Sequence, residues 1–156
     1  MTGLAMARST SETETEGGAA ALGAADDTLL CPSAACTKKN LLLGFVRDDG
    51  KVERFSNPAN VDQDLVHTVA RHPWVRDRLR FVGNCAAAGC KNWSDGKCSV
   101  VRLAVAAAKD VGLLDNAENL PPCSIRGKCR WFREQSHAAC RACVYVKSEI
   151  RRDTAC

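Results

Sequence analysis

The sequence predicts an α+β fold: a small domain with an N-terminal β-hairpin and several short helices, stabilised by metal or clusters on its cysteines. Three observations predict it. Asp48-Asp49-Gly50 separates two β-prone runs, Leu41 to Arg47 and Lys51 to Phe55, and Asp-Gly between such runs signals a hairpin. Apolar residues recur at helical spacing at Val61, Leu65, Val66 and Val69, marking one face of a helix. Ten cysteines stand in 156 residues, although a core of this size does not need cross-links.

Composition removes several classes. Hydrophobic residues make up 46% of the chain and charged residues 26%, a globular balance. Aromatics are 5%, so the core is not built mainly from rings. No apolar run approaches the roughly 18 residues of a membrane span, so no membrane partner is expected. The first thirty residues carry one Arg and five acids and lack the apolar block of a secretory signal peptide. The expected compartment is the reducing cytoplasm. Disulfides are rare there, and dense cysteine means metal or redox chemistry.

The elements follow in order. Residues 1–28 carry net charge −4 and few large apolar side chains, so we expect a disordered acidic tail. A cysteine-rich domain is expected over residues 29–150, with a short tail over 151–156. The hairpin needs a packing partner, because two strands alone are marginal. Ser56-Asn57-Pro58 reads as a helix start, with Asn57 as cap and Pro58 in the first turn. Pro73 should end or kink that helix. Trp74, Val75 and Leu79 extend an apolar face toward Phe81-Val82-Gly83. Ser99 to Val111 predicts an Ala-rich helix stopped by Gly112. A loop with two prolines leads to a last helix, about Arg130 to Ala139, followed by a short strand or turn from Tyr145.

The cysteines fall into groups. Cys123, Cys129, Cys140 and Cys143 lie within twenty-one residues and can close one four-ligand site. Cys85, Cys90 and Cys98 form a second group that needs a fourth ligand. Cys36 or Cys31 supplies it by folding back across the hairpin. One of that first pair and Cys156 are left over. Structural zinc usually sits between two short cysteine knuckles, and this chain has one C-x2-C, Cys140-Arg-Ala-Cys143. Iron–sulfur clusters accept wider spacing, and apolar walls around them tune their potential. Trp93, Trp131 and Phe132 stand beside cysteines as such walls. Two [4Fe-4S] clusters, or at least one, therefore rank ahead of zinc.

The run from Cys123-Ser-Ile-Arg-Gly-Lys-Cys129 through Trp131 to Cys140-Arg-Ala-Cys143 resembles the tail of small, cysteine-rich bacterial iron–sulfur proteins of the 4Fe-4S type, whose function is uncharacterised. Phe81-Val-Gly-Asn-Cys85, with Trp93 and Cys98, looks like their other cysteine block. The resemblance spans about residues 81–146. It implies a cluster-binding fold and names no reaction. The chain lacks the compact four-cysteine run of bacterial ferredoxins, the Gly-Trp-Gly-Gly turn of WhiB-type transcription factors and the three-cysteine radical-SAM motif.

Charge narrows the function. From Cys123 onward there are eight Lys or Arg and three acids. Arg126, Lys128, Arg130, Arg133 and Arg141 sit between the cysteines, where cations offset a cluster's negative charge. A basic face also attracts an acidic redox partner; nucleic acid ranks third. His137, three residues before Cys140, reads as a surface histidine, as do His67 and His72. No phosphate loop, paired carboxylates or serine-nucleophile motif is present, so no catalytic residue is named. The expected function is electron transfer, or a redox accessory role beside a larger enzyme. The alternatives are a cluster-based redox sensor, a zinc-built nucleic-acid or protein-binding regulator, and an enzyme subunit with an open iron.

Overall fold

The structure, a computed structural model, describes residues 28–114 and 119–147. The expected acidic tail, apart from Thr28, the C-terminal tail and Cys156 lie outside the described residues. The fold is α+β. Its centre is an antiparallel four-stranded sheet of β1 (Leu30–Ala34), β2 (Leu41–Val46), β3 (Val52–Asn60) and β4 (Leu79–Asn84), in the order β1-β4-β2-β3.

The expected hairpin is β2–β3. Its turn contains Gly50 at φ 80°, a conformation that glycine adopts without penalty. Midway, both ladders of β2 shift register between Leu42 and Gly44. A Cβ at Gly44 would lie 2.0 Å from the Glu53 carbonyl oxygen, so this crossing requires glycine.

Two expectations are corrected here. Asn57 and Pro58 do not start a helix; they continue β3. The strand lies at the sheet edge, where a missing N–H costs no ladder bond. The helix begins later, as α1 (Gln63–Arg71), capped by Asp62 Oδ1, which accepts from the Leu65 N–H at 2.7 Å. Pro73 does break the helix, opening α2 (Pro73–Asp77). Trp74, expected on the apolar face, is 68% exposed.

Successive residues of a strand face opposite sides of a sheet, and β4 uses both. Phe81 joins Ala34, Val61 and Val69 on the side covered by α1. Val82 joins Leu30, Leu43 and Ile125 on the other. Sequence position puts Arg80 on the Val82 side.

A small ribbon, β5 (Trp93–Ser94) and β6 (Lys97–Cys98), leads into α3 (Ser99–Asp110). Gly112 follows α3 at φ 69°, the expected stop. α4 (Arg130–Cys143) packs against α3 and is broken at Ser136, whose φ is 49°. Between the two helices lie Val101, Cys129, Trp131, Ala139 and Cys143. Thus a third core cluster is built partly from cysteine. Among the described residues, no helix is long and apolar enough to cross a membrane.

Candidate functional site

Cys123, Cys129, Cys140 and Cys143 line one small pocket of about 10 Å³, closed by Pro32, Leu43 and Arg54 from the sheet and by Trp131 and Phe132 from α4. The break in α4 makes this possible. In a straight helix, eleven residues would separate Cys129 from Cys140 by roughly 16 Å. Divided at Ser136, the helix borders the cavity with both its start and its end. Cys129 occupies the N-cap of α4 and Cys98 the N-cap of α3. Neither helix begins with a usual cap residue, and a helix N-terminus favours negative charge.

Burial pushes the Cys129 thiol up to about 12; the Phe132 and Trp131 amides oppose this, and Cys143 and Cys123 add to it. Burial also raises Cys140, against the pull of the Arg126 side chain that hydrogen-bonds to it. Two more guanidinium groups reach sulfur. Arg54 Nη1 lies 3.8 Å and Arg80 Nη2 3.5 Å from Cys143 Sγ. Among the described residues, none of Arg54, Arg80 and Arg126 has a carboxylate within ion-pair distance. Arg54 Nη2 and Arg126 Nε are buried without a hydrogen-bond partner. Arg80 is 1% exposed. It donates to the Pro32 carbonyl at 2.5 Å and to the Val146 carbonyl, and stacks 5.5 Å from the Trp131 ring centre.

The second group forms around Cys31, Cys85 and Cys98. Burial pushes Cys31 up to about 11; the Ser33 amide opposes this, Cys85 and Cys98 add to it, and Arg80 opposes. The Cys85 N–H donates to the Leu29 carbonyl at 2.8 Å, tying the end of β4 to the start of β1. The Cys98 N–H donates to Glu134 Oε2 at 2.9 Å. Amides also reach two sulfurs at 3.4 Å, Ala87 N–H to Cys85 and Asn92 N–H to Cys90. Cys90 itself is disulfide-bonded, whereas the other eight described cysteines are free thiols.

Cys36 does not join this group. It packs with Ala34, Val61, Val69 and Phe81 beneath α1, and burial alone raises its thiol. The reason is strand length. At about 3.3 Å per residue, β1 carries Cys36 to the end opposite Cys31. Of the first pair, Cys31 is the residue beside Cys85 and Cys98.

The two thiol groups are neighbours. Leu30, next to Cys31, bridges to Cys129 in parallel, and Cys98 packs on the core containing Cys129 and Cys143. The thiols border a cavity rather than one point. Among the described residues, no three His, Cys, Asp or Glu side chains are placed to hold a single ion. His137 is exposed and packs edge-on against Phe132. His67 and His72 are exposed on the far layer. Trp131 is 2% exposed, while Trp93 is half-buried beneath Arg130.

Sequence reading anticipated Arg126 but not Arg54 or Arg80. An arginine within a strand reads as solvent-facing, and no local signal marks either as buried. Comparison with protein-family models, curated proteins and solved structures returns no match.

Proposed function

We propose that this chain is an iron–sulfur protein that carries electrons, alone or as an accessory to a larger enzyme, in a reducing compartment. A [4Fe-4S] cluster held by Cys123, Cys129, Cys140 and Cys143 would sit between α4 and the sheet, where the small pocket among the thiols must open to admit it. A second would rest on Cys31, Cys85 and Cys98, with Cys90 as fourth ligand once reduced.

One observation carries this reading. Three guanidinium groups converge on cysteine sulfur, and among the described residues none has a carboxylate within ion-pair distance. Arg80 is buried and Arg54 and Arg126 are half-buried; a cation withdrawn from water without a counter-charge is costly, and protonated thiols supply none. Thiolates on a cluster do. At about 4 Å and an effective dielectric constant of about 20, each such contact contributes roughly 4 kcal/mol before desolvation. Among the described residues no three thiols are placed to hold a single ion, which favours a polynuclear cluster over zinc. Zinc draws its sulfurs to about 3.8 Å apart, from a tetrahedral bond of about 2.3 Å.

The disulfide at Cys90 favours a second reading for the middle group alone. Three free thiols there would leave one iron open, as an enzyme subunit requires. Regulation by a cluster or zinc has no comparable observation behind it.

The test is Cys129→Ser, purified without oxygen. Bound iron should fall by about half while the sheet stays folded. Iron per chain equal to wild type would overturn the ligand role of Cys129.

A further inference from the structure

A second cavity adjoins the thiol site and contains none of the cysteines. It is a groove of about 710 Å³ between the β2–β3 hairpin and the segments on either side of the C-terminal cysteines. That volume lies within the roughly 300–1,000 Å³ of small-molecule sites.

The two walls differ in chemistry. Among the described lining residues, Arg47, Lys51 and Arg54 face one carboxylate, Glu53, while Arg141 donates to the Leu114 carbonyl at 3.1 Å. Arg47 already engages Glu53 at 3.5 Å, so among the described residues Lys51 and Arg54 have no carboxylate partner. The opposite wall is apolar, made by Leu113, Leu120, Pro121 and Pro122. At one end stands the Tyr145 ring, 39% exposed, with Lys51 Nζ 5.7 Å from its centre. A cation over one face of a part-exposed aromatic ring, opposite proline and leucine, suits a flat ring carrying an acid group.

Arg54 joins this groove to the thiol cavity and lines both. Its Nη1 lies 3.8 Å from Cys143 Sγ, and its buried Nη2 has no partner. An acid group on the groove side would meet that guanidinium one side chain away from the thiols.

We propose that the groove binds a small aromatic anion of the nucleoside-phosphate class, its acid group held by Lys51 and Arg54 and its ring lodged between Tyr145 and the proline wall. This goes beyond the cluster reading; the two share only Arg54, which reaches Cys143 Sγ and also lines the groove.

The experiment is titration calorimetry of the full chain with AMP, adenosine and inorganic phosphate. AMP should bind saturably at one site, with adenosine and phosphate each at least tenfold weaker. Lys51→Glu, an exposed change, should weaken AMP at least tenfold while circular dichroism stays unchanged. Absence of AMP binding at millimolar concentration would overturn the proposal. So would equal affinity for AMP and adenosine, or for AMP and phosphate. Iron content of the same samples keeps this result separate from the cluster reading.

Discussion

The guanidinium of Arg80 lies 3.5 Å from Cys143 Sγ and also faces Cys31, so one buried cation serves both thiol groups. Its other bonds run to the carbonyls of Pro32, Val146 and Cys143. Arg80 therefore ties the sheet to the end of α4 and supplies charge where the two groups meet. A lysine could not reproduce this, since it lacks the planar fork that reaches several acceptors at once.

Removing that cation should be expensive. Arg80→Met strands buried carbonyls, and each hydrogen bond from a charged donor contributes about 1.5–3 kcal/mol. The expected loss is about 3 kcal/mol in urea unfolding. Arg102→Met, at an exposed position on α3, should stay within about 0.5 kcal/mol. Equal stabilities for the two variants would show that the Arg80 contacts carry no weight.

Ser136 holds φ 49° and ψ −136° within α4, a region that costs a non-glycine residue about 1–3 kcal/mol. Ser136→Gly should raise stability by about 1 kcal/mol, since glycine's own entropy cost offsets part of the relief. A lower melting temperature would mean that the break is not strained.

The raised thiols fix a pH dependence in the metal-free protein. Cys129 and Cys31 are held near 12 and 11, against an ordinary value of 9.0. Folded thiols keep protons that the unfolded chain sheds. Their stabilising contribution is therefore full below pH 9 and is lost as pH rises from about 9 to 12, at up to about 1.4 kcal/mol per pH unit per thiol. Metal or cluster uptake must release those protons, so affinity should increase with pH. Denaturation curves at pH 8 and 10 check the first point, and calorimetry in buffers of different ionisation enthalpy checks the second. Uptake without proton release would contradict it.

Cys31 and Cys36 should separate cleanly. Cys31→Ser should lower iron per chain, because Cys31 stands beside Cys85 and Cys98. Cys36→Ser should leave iron unchanged, because Cys36 packs beneath α1. The reverse outcome would mean that β1 is in a different register when loaded.

Much of this was legible where the signal is local. Asp48-Asp49-Gly50 marks the hairpin, Gly112 ends α3, and the spacing of the last four cysteines groups them. What escaped depends on tertiary contacts. Pro58 reads as a helix start until β3 is known to be an edge strand. β1 and β4 carry Pro32 and Arg80, residues that disguise buried strands. The choice between Cys31 and Cys36 follows from which end of β1 meets β4, which spacing cannot reveal. The break at Ser136 has no glycine or proline to announce it, yet it brings Cys129 and Cys140 to one cavity.

The most direct measurement is iron, acid-labile sulfide and zinc per chain on protein purified without oxygen, with a visible spectrum. About eight irons and eight sulfides are expected, or about four of each if only the C-terminal site fills, with colour that bleaches on reduction. Zinc without iron, sulfide or colour would contradict the cluster reading.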